Sequence, residues 1–160
     1  MQNKIIISHR GNLHGTGIES ENHPRSIEGA IAQGFHVEID VRNVDGKLFL
    51  GHDKPEMQVG FDFLRDRSDW LWVHAKNSEA IPILAELELN FFFHDKDLHT
   101  LTSRGFIWSR PGHYIFCKKE ILVLPERVDF TAINSHKLSK ASNFYGVCTD
   151  FPLEFSRLFD

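Results

Sequence analysis

The chain has 160 residues, of which 41% are hydrophobic and 25% charged, with a formal net charge of -4. That length suits one domain with a sizeable core, and the composition is that of an ordinary folded chain, which excludes a largely disordered one. The negative charge argues against a nucleic-acid backbone as partner. No window approaches the ~18 uninterrupted apolar residues of a membrane helix, and the N-terminus lacks a signal-peptide core, so no membrane partner and a cytoplasmic location are expected.

In chain order, Lys4 to Ser8 is a β-branched run that reads as a buried strand and delivers His9-Arg10-Gly11 at its end. A polar loop follows, then Pro24 in a first helical turn, a helix over Arg25 to Gln33, and Gly34 to end it. Met57 to Arg67 reads as weakly helical. Asp69 to Asn77 is a strand ending in His74, Ala75 and Lys76, after which Ser78 caps a helix to about Leu89. Asn90 to Asp95, Gly105 to Arg110 and Glu120 to Glu126 are three more apolar runs. Tyr145 to Asp150 is the last strand, leading into a short C-terminal helix. Cys117 and Cys148 are too few and too far apart for a disulfide framework, and no CxxC spacing is present.

The stretch from Phe35 to Asp53 organises the rest. Glu38 and Asp40 stand two apart, so on a strand both carboxylates share a face. The Asn43 to Gly46 run is a turn. With a three-residue loop, Val44-Asp45-Gly46, Arg42 faces Leu48, Asp40 faces Leu50 and Glu38 faces His52, which gathers two carboxylates and an imidazole on one face. A two-residue Asp45-Gly46 loop shifts the register by one and sends His52 to the other face.

Eight candidate strands carry a polar residue at or near the carboxyl end: His9, Asp40, His52, Lys76, His94, Arg110, Glu126 and Asp150. That pattern predicts a compact parallel β/α barrel of the TIM type, whose chemistry gathers at the carboxyl ends of its strands. Ordinary barrels of this kind have about 250 residues, so several outer helices must be shortened or missing. Full helices are expected only after strands one and four. The bare wall that results predicts a homo-oligomer. Trp108 and Phe91 to Phe93 read as barrel packing.

His9-Arg10-Gly11, Glu21-Asn22, Glu38-Ile39-Asp40, Gly51-His52-Asp53, Ala75-Lys76 and Thr149-Asp150 occur in an order and spacing that resembles the glycerophosphodiester phosphodiesterase family, from the first strand to the last. The resemblance implies a parallel barrel that hydrolyses small phosphodiesters with a divalent cation. It implies His9 and His52 as the acid/base pair, Glu38 and Asp40 as metal ligands, and Arg10 and Lys76 as phosphate contacts. The chain departs from the family pattern at three points. His74 stands where a third carboxylate is usual, Ser20-Glu21-Asn22-His23 replaces Pro-Glu-Asn-Thr, and the chain is short. The combination of His74 to Asn77, Thr100 to Ser103 and Pro125-Glu126 is similar to a subgroup of short bacterial proteins of this kind.

The chemistry follows from the residue types as well. Cleaving a phosphodiester needs charge stabilisation at the phosphate oxygens, a base for the incoming hydroxyl and an acid for the leaving alkoxide. Glu38 and Asp40 suit Mg²⁺ or Ca²⁺, while an added His74 ligand tilts the site toward Mn²⁺ or Zn²⁺. Arg10 and Lys76 add positive charge, and histidines move protons near neutral pH. A hydroxyl beside the phosphate is the natural first nucleophile, giving a cyclic phosphate. Lys76 has a second reading, as a buried salt-bridge partner of Glu38. Glu21, His74, His94, Arg110, Glu126 and Asp150 are additional candidates, whereas His14, His23, His36, His99, His113 and His136 rank below His9 and His52. Two other function classes fit: a non-catalytic module that binds phosphate or a phosphodiester, and a Zn²⁺ or Mn²⁺ hydrolase that uses His74.

Overall fold

The computed structural model describes residues 4–17, 19–128 and 143–159; His136 lies outside them. Ten strands form one sheet. The first half holds β1 (Ile5–His9), β2 (His36–Val44), β3 (Lys47–Leu50), β4 (Met57–Val59) and β5 (Leu71–Ala75). The second holds β6 (Asn90–Phe92), β7 (His99–Leu101), β8 (Ile107–Ser109), β9 (Glu120–Val123) and β10 (Gly146–Thr149). Helices are few and short: α1 (Pro24–Ala32), α2 (Phe61–Arg65), α3 (Ile81–Glu86), entered by a 3₁₀ turn at Ser78–Ala80, and a C-terminal helix, Pro152–Phe159.

Parallel ladders join seven strands in the order β6-β5-β2-β1-β10-β9-β8. The carboxyl ends of these strands therefore share one rim. The sheet is a curled half-barrel and not the closed barrel expected. Among the described residues no ladder joins β6 to β8, because β7, which was not foreseen, folds back antiparallel on β8 and takes the edge that would have faced β6. Several bonds cross the seam: Ser103 N donates to Phe91 O at 2.7 Å, Phe91 N donates to Ser103 Oγ at 3.0 Å, and His94 Nδ1 lies 2.7 Å from Thr100 Oγ1.

In the first half one open register is settled and one expectation is corrected. The β2–β3 hairpin pairs Val44 with Lys47 and Val41 with Leu50, so its loop is the two-residue Asp45-Gly46, not the three-residue one. Both loop residues have positive φ (51° and 77°), the geometry that matches strand twist in a tight hairpin. Met57 to Arg67 is not one helix. Its first residues pair with β3 as β4, and only Phe61–Arg65 is helical. Its apolar residues Phe61, Phe63 and Leu64 all belong to the helical turn, and the three residues of β4 are too few to show a period of their own.

Alternation along β2 divides the core. Val37, Ile39 and Val41 pack outward with Ile27 and Ala30 of α1, Leu64 of α2 and Leu84 of α3, while Glu38 and Asp40 turn inward. Inside the curl, Ile7, Trp72, Phe92, Trp108, Ile121 and Cys148 form an apolar plug, with Phe92 and Trp108 stacked at 4.6 Å. Trp108 and Phe92 are thus packing residues as expected, but Phe93 is 49% exposed. Phe144, Val147 and Phe155 bury the C-terminal helix against the opposite wall. The inner plug gives the polar rim residues a rigid, water-poor floor.

Candidate functional site

Strand β1 ends at His9, and the chain leaves it by a left-handed step at Arg10 (φ 54°) and Gly11 (φ 83°). A Cβ on Gly11 would sit 2.9 Å from the backbone of Ser26, so only glycine lets this turn lie against α1. The step matters because neighbours on a strand face opposite ways, whereas here His9 and Arg10 line the same cavity. His9 is 6% exposed, with Nδ1 2.6 Å from Asp150 Oδ1 and Nε2 3.9 Å from Glu38 Oε2. Asn12 Nδ2 and Arg127 Nη2 donate to the same Asp150 carboxylate, each at 2.9 Å, and Asp150 N donates to Glu126 Oε1 at 2.7 Å. Burial opposes ionisation of Asp150, but the bonds from His9, Asn12 and Arg127 prevail and hold its pKa at about 2. An ionised Asp150 can only accept, so the His9 proton sits on Nδ1 and Nε2 is the nitrogen left for chemistry. Burial disfavours a charged His9 ring, while Asp150 and Glu38 outweigh it and raise the His9 pKa.

Glu38 and Asp40 are both buried. Asp40 is encircled: Asn22 Nδ2 donates to Oδ2 at 2.9 Å, Arg10 Nε lies 3.0 Å from Oδ2, His74 Nδ1 lies 3.2 Å from Oδ1 and Lys76 Nζ 3.7 Å from Oδ1. Burial works against the charged form, yet His74, Arg10 and Asn22 together lower the Asp40 pKa. Lys76 therefore faces Asp40, and no contact pairs it with Glu38. Glu38 is the opposite case, since burial and then the charge of Asp40 raise its pKa. Neither Glu38 Oε2 nor Asp40 Oδ1 receives an aligned hydrogen bond. One carboxylate oxygen each from Glu38 and Asp40 and one His74 nitrogen lie within 4.8 Å of one another. Two unsatisfied buried carboxylate oxygens beside an imidazole fit a divalent cation, and 3.2 Å between His74 and Asp40 suits neighbouring ligands of one ion.

The other predicted residues divide. His52 joins the site despite the two-residue hairpin loop, because β3 stops at Leu50 and Gly51, at φ 137°, turns the chain inward. Arg42 Nη2 holds this turn by donating to Gly51 O at 3.2 Å and His52 O at 2.7 Å. His52 lies at the cavity mouth, its Nδ1 2.8 Å from Asp53 Oδ1. His94 and Arg110 also line this cavity of about 250 Å³. His94 packs edge-on against His74 at 4.6 Å, and burial, with His74 and Lys76 as neighbours, lowers its pKa to about 4, so it is neutral at physiological pH. Glu21 and Glu126 act from behind: Glu21 accepts from Arg10 Nη1 at 2.9 Å, and Glu126 holds the backbone of Asp150. Sequence reasoning passed over Asn12, Arg127 and the cavity rim Asp95-Lys96-Asp97. These lie on loops, where no periodicity points at a partner. The one available signal was proximity to a motif: Asn12 follows His9-Arg10-Gly11, and Arg127 follows Pro125-Glu126.

No protein-family model and no curated protein matches the sequence. Among solved structures, glycerophosphodiester phosphodiesterase from Agrobacterium tumefaciens str. C58 superposes with a TM-score of 0.57 at 13% identity, covering 97% of this chain and 98% of that one. The chain shares the fold of that phosphodiesterase. At 13% identity the likeness is one of backbone, and what the phosphodiesterase fold does here must be argued from the side chains.

Proposed function

We propose that this chain is a metal-dependent phosphodiesterase acting on small glycerophosphodiester-like substrates. The observation that carries the reading is the convergence on one cavity of Glu38, with an unsatisfied buried oxygen, and of His9, Arg10 and His52. Glu38, Asp40 and His74 would hold the divalent cation, which supplies Lewis-acid stabilisation of charge on the phosphate oxygens. Mg²⁺ or Ca²⁺ suits the carboxylates, and the imidazole widens the range to Mn²⁺ and Zn²⁺.

The side chains supply the rest. Arg10, charged and fixed by Glu21 and Asp40, binds a phosphate oxygen, and Lys76 adds positive potential beside Asp40. His9 Nε2 takes the proton from the attacking hydroxyl while Asp150 stabilises the imidazolium that forms. His52, half in solvent at the mouth, gives a proton to the departing alkoxide. Where the alcohol next to the phosphate carries a hydroxyl, that hydroxyl is the nucleophile and a cyclic phosphate the first product. The Agrobacterium neighbour is a glycerophosphodiester phosphodiesterase, and it supports the reading by analogy of fold.

The test is a panel of glycerophosphodiesters assayed with each of Mg²⁺, Ca²⁺, Mn²⁺ and Zn²⁺. Turnover that needs a cation and depends on His9 supports the reading. Tight binding of a phosphodiester without turnover under every cation would replace it with the binding module.

A further inference from the structure

We propose that Asn12 is a positioning residue that sets His9 and Arg10 in register with each other. Its catalytic meaning rests on the phosphodiesterase reading, while its geometry stands by itself. Asn12 is 4% exposed, and its single amide nitrogen donates to Glu21 Oε1 at 3.0 Å and to Asp150 Oδ1 at 2.9 Å. These carboxylates hold the two working groups, for Asp150 Oδ1 lies 2.6 Å from His9 Nδ1 and Glu21 Oε2 accepts from Arg10 Nη1 at 2.9 Å. Asn12 is itself clamped to β1. Its N donates to His9 O at 3.0 Å, and Ser8 Oγ donates to its carbonyl at 2.7 Å.

The residue type is dictated by the charges. Two acceptor-only carboxylates that converge on one point repel, and a side-chain amide supplies a separate N–H to each from one planar nitrogen. A hydroxyl has one proton and a carboxylate none. Asn12 thus closes a chain from the proton-transfer nitrogen of His9, through Asp150, Asn12 and Glu21, to the guanidinium of Arg10. Moving either carboxylate shifts the donor seen by the other, so His9 and Arg10 move together. The β1–β2 ladder ends where Arg10 N donates to Glu38 O at 2.9 Å, and the left-handed backbone at Arg10 (φ 54°) brings its side chain to the cavity of His9, where side-chain bonds fix the two relative to each other.

The experiment uses the full chain and two labels read by peptide mass spectrometry: diethyl pyrocarbonate on His9 and phenylglyoxal on Arg10. Asn12→Leu, close in size but without donors, is expected to raise both labelling rates about tenfold, the scale of losing an orienting hydrogen bond. Two variants that keep Asn12 provide the decisive cross-check, and stand in should Asn12→Leu fail to fold. Glu21→Gln raises labelling of His9, and Asp150→Asn raises labelling of Arg10, although neither mutated side chain touches the residue labelled. Labelling changes confined to the directly bonded neighbour would overturn the coupling. In kinetics with glycerophosphocholine and Mg²⁺, Asn12→Leu lowers kcat and raises KM, each about tenfold, whereas Asp150→Asn acts on kcat and Glu21→Gln on KM. Equal kcat and KM with a lower Tm would show a merely structural role and also overturn it. A parent chain with no turnover on any glycerophosphodiester removes the phosphodiesterase reading, while labelling still decides the coupling.

Discussion

Asp40 is a fully buried carboxylate that Arg10 and Lys76 flank with positive charge and His74 abuts at 3.2 Å, while Glu38 beside it has an oxygen that receives no hydrogen bond. That imbalance at single residues is what calls for a cation, and His74 is where it can be tested. Replacing the neutral imidazole by a carboxylate, His74→Glu, should tighten Mg²⁺ and Ca²⁺ and reduce the relative preference for Mn²⁺, because hard ions favour oxygen ligands. Calorimetric titration of both proteins with the three ions checks this, and unchanged affinities would remove His74 from the ligand set. At the proton-transfer residues, His9→Ala and His52→Ala should each reduce turnover by about 10²- to 10⁴-fold. Near-parental activity in either variant takes that histidine out of the mechanism. Denaturant midpoints should separate the two: His52, at the mouth, costs little stability, whereas His9 leaves Asp150 without one of its donors.

At the scale of elements, the site depends on turns more than on strand register. A one-residue difference in the β2–β3 loop should have moved His52 away, yet Gly51 undoes the consequence by breaking the alternation just past Leu50. A Cβ on Gly51 would lie 2.2 Å from Lys54 O. Gly51→Ala should therefore cost about 1–3 kcal/mol in urea unfolding and lower kcat as well, since His52 rides on this turn. Loss of stability with full activity would show that His52 does not need this geometry. The same contrast explains what could be read from the sequence. His9, Glu38, Asp40, Lys76 and Asp150 were legible because strands end in polar residues and a period of two assigns a face. Asn12 and Arg127 were not, because their partners come from remote loops, and β4 and β7, three residues each, are too short for any period to register. That several outer helices would be shortened or missing was legible from length; the open seam was not, since it depends on β7 choosing the edge of β8.

For the whole molecule, the open seam leaves β6 and β7 without a strand partner across it among the described residues, and Phe93, Leu98 and Leu101 exposed. Self-association that covers these is the expected state, to be read by light scattering; a monomer over a wide concentration range contradicts it. Acid stability follows from the shifted groups. His94 has a folded pKa of about 4 against an ordinary 6.5, so the unfolded chain takes up its proton first and stability falls as pH drops from 6.5 toward 4. Asp150 adds stability above the ordinary value of 3.8, which is lost as pH falls toward about 2. The raised pKa values of His9 and Glu38 act with the opposite sign, so the His94 contribution is read by difference: His94→Gln should flatten the urea-midpoint profile between pH 6.5 and 4 relative to the parent. Parallel profiles for parent and variant contradict that assignment. The central claim, that the rim of this half-barrel cleaves phosphodiesters with the help of a cation, is tested most directly by ³¹P NMR of glycerophosphocholine incubated with the protein and Mg²⁺ or Mn²⁺. The account predicts that the diester resonance is replaced by that of a cyclic or open glycerophosphate, and that EDTA or His9→Ala stops the conversion. A diester that persists unchanged under every cation, or that is consumed equally by His9→Ala, would contradict it.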